Sequence, residues 1–196
     1  MAAVWYGDVD LGEQLRTMTV TATSPDGAIR ATVTGENRLE LRFQPRTYQW
    51  YDDHGLAREL TALGTTTWVA WTRQRAEVTR LSLGQSRGEA EQSQRRDGDP
   101  RHDRFIEALR RLECDGVSRD RSIHLRLAGA TRWQVEIADG TARNTPERTF
   151  VEQAVSAVDS VIQDRSMKMA LLRAEHFDIG VPSSWLDRVR SLRFRY

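Results

Sequence analysis

The feature that most constrains this chain is an internal repeat at a constant offset of 94 residues. Ser24, Asp26, Ile29, Gly35, Arg38 and Thr47 recur as Ser118, Asp120, Ile123, Gly129, Arg132 and Thr141, with no gap between them. Identities are few. What carries the repeat is a shared alternation of apolar and polar residues in one register. A chain of 196 residues built this way divides into two similar units rather than one large domain.

Each unit yields a short list of elements. Ile29/Ala31/Val33 and Leu39/Leu41/Phe43 alternate with polar residues, as do Ile123/Leu125/Leu127 and Trp133/Val135/Ile137, so each run predicts a half-buried strand. Gly35-Glu36-Asn37 tolerates the positive φ of a hairpin loop. Ser24-Pro25-Asp26-Gly27 marks a turn after an earlier strand near Met18–Thr23. Three antiparallel strands per unit follow.

Helices flank each set of strands. Leu11 and Leu15 mark a short one faintly, and Phe105, Ile106, Leu109 and Leu112 mark its counterpart clearly. Asp52-Asp53 can cap a longer helix carrying Leu56, Leu60, Leu63, Trp68 and Trp71. Thr145-Pro146-Glu147 reads as an N-cap with Pro at the first helical position, ahead of Phe150, Ala154, Val158, Val161 and Ile162.

The expected fold class is therefore α+β, with units over residues 8–82 and 102–176, a polar linker over 83–101 and a tail over 177–196. Each unit alone has a thin core. Packing of the two as a pseudo-two-fold pair is expected, burying Trp68, Trp71 and the Val158–Ile162 stripe between them.

Charge excludes several classes. The net formal charge is +1, and the 29 basic residues are 28 Arg and one Lys, a ratio that fits codon bias better than site design. Each unit is near neutrality, and the excess lies in Arg188, Arg190, Arg193 and Arg195. No apolar run approaches the ~18 residues that span a bilayer. The acidic start at Asp8 and Asp10 does not resemble a secretory signal. The single cysteine, Cys114, permits no intrachain disulfide, which fits a cytoplasmic setting.

No catalytic constellation emerges. There is no phosphate-cradling Gly-rich motif, and His54, His102, His124 and His176 are too widely spaced to suggest a metal site. Asp52-Asp53-His54 is the nearest approach to a metal cluster, and helix capping explains it better. Cys114 as a nucleophile would need a base beside it, so an inert thiol is favoured. His124, opposite in phase to Ile123 and Leu125, is expected on the solvent side. The reading is of a protein that is not an enzyme and needs no cofactor.

Two surfaces stand out as candidates. Tyr48, Trp50 and Tyr51 cluster between strand and helix where the second unit has Ala142, Asn144 and Thr145. Such an aromatic group suits a partner protein at least as well as DNA. In the tail, Arg188, Arg190, Arg193 and Arg195 interleave with Phe194 and Tyr196, a pattern that can grip phosphate and stack on bases. The other reading is a terminal helix whose Trp185, Val189 and Leu192 dock on the body.

The order of elements, the run Gly27-Ala28-Ile29-Arg30-Ala31-Thr32-Val33-Thr34-Gly35, and Asp52, Asp53 and Leu56 beyond it resemble the YbaB/EbfC family of small bacterial proteins. The second unit departs from the pattern at Arg121, where the first has Gly27, yet keeps Ile123 and Gly129. The resemblance implies homodimers whose sheets join, here fused as a tandem pseudo-dimer. It also implies a nucleoid-associated DNA-binding role with little sequence preference. Actinobacterial relatives that accompany type VII secretion offer the alternative, a protein–protein adaptor on the same fold.

Overall fold

The structure is a computed structural model that describes residues 11–82, 84, 86, 88 and 100–177. In the first unit α1 (Leu11–Thr17), β1 (Thr19–Thr23), β2 (Ile29–Thr34) and β3 (Leu39–Phe43) lead through a 3-10 turn at Tyr48–Trp50 to α2 (Asp53–Ser82). In the second, α3 (Pro100–Arg110), β4 (Glu113–Val117), β5 (Ile123–Ala128) and β6 (Arg132–Ile137) lead through the one-turn α4 (Thr141–Asn144) to α5 (Glu147–His176). The fold is α+β, with two three-stranded antiparallel sheets in the orders β1-β2-β3 and β4-β5-β6. Both long helices have 30 residues, and they start 94 positions apart.

The repeat extends to single hydrogen bonds. The Ser24 hydroxyl donates to Asp26 Oδ1 (2.6 Å) and accepts the Ile29 N–H (2.9 Å). Ser118 does the same with Asp120 (2.7 Å) and Ile123 (2.9 Å). Glu59 on α2 accepts the Asp26 N–H at 3.2 Å, and Gln153 on α5, 94 positions on, accepts that of Asp120 at 3.2 Å. These bonds satisfy turn donors that burial would otherwise strand. The shared glycine has a steric reason. A Cβ at Gly35 would stand 1.6 Å from the Leu15 carbonyl oxygen, and one at Gly129 2.8 Å from that of Arg110. Only a glycine lets the preceding helix end close over the hairpin.

Each long helix covers its own sheet and reaches over the other. α2 packs on β1 and β2 and on β6, while α5 packs on β4 and β5 and on β3. One continuous core results, with Ile29, Leu56, Leu63, Ile123, Leu127, Phe150 and Val161 almost wholly buried. Phe43 and Tyr48 meet Phe150 across the units at ring separations of 6.2 and 5.4 Å. An apolar cavity of about 90 Å³ remains where both helices face both sheets.

The seam is also polar. Thr61 and Thr65 of α2 accept the edge N–H groups of Val135 (3.0 Å) and Trp133 (3.4 Å) on β6. Gly64 between them allows this approach, since a Cβ there would already lie 3.3 Å from the Trp133 ring. Asp53 accepts from the Gly140 and Ala142 N–H groups at 2.6 and 2.7 Å. The Tyr48 hydroxyl donates to the Thr145 carbonyl at 3.1 Å. Burial, with the charges of Asp53 and Glu147, pushes that phenol up to about 12, so it stays a donor near neutrality.

Several expectations need correction. Asp52 does cap α2, accepting the Gly55 N–H at 2.7 Å. Pro146, however, is itself the residue ahead of α5, and no side chain caps that helix, since the proline ring has no polar atom to accept an N–H. Trp68 lies at the seam, its N–H donating to the Ala130 carbonyl (2.8 Å) and its ring edge-on to Trp133. Trp71 is buried beside Met18 and Val20 of its own unit and donates to the Thr34 carbonyl. It also stacks on Trp68 at 5.3 Å and lines the cavity between the units. Most of the linker and the tail beyond Phe177 lie outside the described residues. Among the described residues no helix is long and apolar enough to cross a membrane.

Candidate nucleic-acid interface

Strand alternation decides which side chains face away from the core. On the first sheet the outer face carries Thr19, Thr21 and Thr23 from β1, Arg30, Thr32 and Thr34 from β2, and Glu40 and Arg42 from β3. Register then places them in rows. Thr21, Thr32 and Glu40 form one row, with the two threonine hydroxyls 3.1 Å apart. Thr23, Arg30 and Arg42 form the next, so two exposed arginines stand directly opposite each other on neighbouring strands. Like charges so placed destabilise a sheet.

Arg42 is partly balanced, its Nε donating to Glu40 at 2.6 Å. Arg30 has no ion-pair partner among the described residues. Beyond this row β3 ends, and Gln44-Pro45-Arg46-Thr47 turns the chain, with Thr47 N–H returning to the Gln44 carbonyl at 3.1 Å. Arg46 is exposed there and holds φ at 66°, a left-handed conformation unfavourable for a side chain with a Cβ.

The aromatic cluster follows at once. The structure divides its members. Tyr48 is buried, 5.0 Å from the Phe43 ring. Tyr51 donates its hydroxyl to Asp26 and packs on the core. Burial and the Asp26 hydrogen bond push its phenol far up. Trp50 alone stands out, with 75% of its surface exposed. The two tyrosines therefore fix the turn that presents Trp50, and the surface expected of three residues reduces to one.

The second unit shows what the same scaffold looks like without this surface. His124, Glu136, Gly140 and Asn144 stand where Arg30, Arg42, Arg46 and Trp50 stand in the first. At the centre of its outer face the charges pair with one another. Arg126 Nε donates to Asp115 at 3.2 Å, and His124 lies 3.5 Å from Asp115 and 3.7 Å from Glu136. His124 is half-exposed on that face, as alternation predicted. With Arg38 and the Glu36 that pairs with it at 3.2 Å counted, the first sheet sets three arginines against two glutamates, while the second sets two arginines against three carboxylates.

The remaining candidates carry little chemistry. Cys114 is buried, and burial pushes its thiol up, which makes it a poor nucleophile. Asp52 is committed to capping, and Asp53 to the seam. Among the described residues no group of three or more potential ligands could hold a metal ion. Arg188, Arg190, Arg193 and Arg195 lie outside the described residues. Sequence reading missed Arg30, Arg42 and Arg46, although the phase of Arg30 and Arg42 against Ile29 and Leu41 already put both on the outer face. Compared with known proteins, the chain matches no family model, no curated protein and no solved structure.

Proposed function

We propose that this chain is a non-enzymatic DNA-binding protein of the YbaB/EbfC type, gripping the phosphate backbone with the outer face of its first sheet. The observation that carries the reading is the opposed pair Arg30 and Arg42, followed by a strained, exposed Arg46. A phosphate seated between two facing guanidinium groups turns their repulsion into two charge-assisted contacts. Threonine hydroxyls along the same face supply further donors to phosphate oxygens. None of these groups reads a base edge from a flat sheet, so little sequence preference is expected. Trp50 adds one exposed ring on which a base could stack, and the tail arginines add charge.

The adaptor reading rests on the exposure of Trp50, which would equally anchor a protein partner. A fluorescence-anisotropy titration with random-sequence duplex DNA separates the two. DNA binding through about four phosphates should weaken about a hundredfold between ~50 and ~200 mM salt. No binding at ~50 mM salt would overturn the DNA reading and leave the adaptor, including a secretion accessory role, in its place.

A further inference from the structure

The two units also differ along their outer strand edges. In β1, Val20 and Ala22 bond to β2, continuing the pattern set by Gly35 N–H to Met18 O (2.8 Å) and Ser24 N–H to Ile29 O (2.8 Å). The backbone groups of Thr19, Thr21 and Thr23 therefore point away from the sheet. In β4 the equivalent edge is closed. The Asp115 N–H donates to Asp164 Oδ2 at 2.9 Å, and the Lys168 ammonium donates to the Glu113 carbonyl at 2.6 Å. Both plugs come from α5. At the matching positions α2 has Ala70 and Gln74, and among the described residues nothing partners the Thr21 N–H.

We propose that two copies of this chain pair antiparallel through β1, joining their first sheets into one six-stranded sheet. An open, uncharged edge of threonines is the kind of template that protected edges avoid. Its sequence Thr19-Val20-Thr21-Ala22-Thr23 is self-complementary about Thr21. Antiparallel pairing centred there sets Thr19 beside the partner's Thr23 and brings no charge to the seam. The nearest charged residues in one row, Arg30 and the partner's Arg38, would sit four strands apart, roughly 19 Å, well beyond the Debye length at physiological salt. The β4 edge, plugged and flanked by Asp115 and Glu113, cannot pair in this way. The proposal goes beyond the DNA reading and is tested without DNA, so the two can fail separately.

Sedimentation equilibrium of the full chain over a range of concentrations reads the result directly. The wild-type chain should approach twice its monomer mass. Thr21→Pro removes an N–H that the folded monomer does not use, so it should raise the dissociation constant at least about tenfold while leaving far-UV circular dichroism unchanged. Should that variant lose its fold, Thr21→Lys serves instead, since it sets two ammonium groups side by side at the dyad and should weaken pairing similarly. A wild-type chain that stays monomeric at all concentrations overturns the proposal. So does a dimer that a folded Thr21 variant leaves intact.

Discussion

Arg46 and Gly140 occupy the same turn of the two units, 94 positions apart, and share a left-handed backbone at φ 66° and 80°. Glycine adopts that conformation freely, whereas an L side chain pays roughly 1–2 kcal/mol for it. Strain of this kind clusters at functional sites, and Arg46 follows closely on the strand that carries Arg42. Arg46→Gly should therefore stabilise the protein by about 1 kcal/mol, raising its melting temperature by about 2–4 °C, and should weaken DNA binding. Arg121→Gly, at the other left-handed arginine (φ 63°), should stabilise similarly and leave binding unchanged, because Arg121 lies on the second unit. Calorimetry and the same DNA titration check both.

Asp53 ties the units together through the N–H groups of Gly140 and Ala142. Asp53→Ala should strand both donors and cost about 2 kcal/mol, lowering the melting temperature by about 4–8 °C. Because the core is continuous, the melt should remain a single transition.

Asp26 and Asp120 predict an acid-sensitive repeat. Burial alone would raise both carboxyls. At Asp26 the Ser24 and Tyr51 hydroxyls, with the N–H of Ala28 and its own amide, outweigh burial and hold it below its usual range. At Asp120 the Ser122 amide and the Ser118 and Ser122 hydroxyls do the same. A carboxyl held low in the folded state lends stability above its unfolded value and loses it as pH falls toward the folded one. Thermal stability should thus decline below about pH 5, and Asp26→Asn combined with Asp120→Asn should flatten that decline.

Much of the architecture was legible because it is local. Alternation around Ile29 and Ile123, the turn at Ser24–Gly27 and the apolar spacing after Asp52 name their elements without help from distant residues. What escaped depends on pairing between units. That Asp53 spans to Ala142, that Thr61 and Thr65 close the β6 edge and that Thr145 is taken by Tyr48 are facts of tertiary approach, for which sequence carries no period. The candidate surface sits between these cases. Phase put Arg30 and Arg42 outside, yet only the strand register shows that they face each other. The lone exposure of Trp50 likewise needed the burial of Tyr48 beneath it.

The most direct test of the account compares the salt dependence of DNA binding in two matched variants. Arg30→Gln with Arg42→Gln removes the opposed pair of the first sheet, while Arg126→Gln with Arg132→Gln removes as much charge from the second. The first should lower the slope of log affinity against log salt by about 1.8, the loss of two phosphate contacts, and the second should leave it unchanged. Equal slopes in the wild-type chain and the Arg30/Arg42 variant would contradict a DNA-binding role for this face.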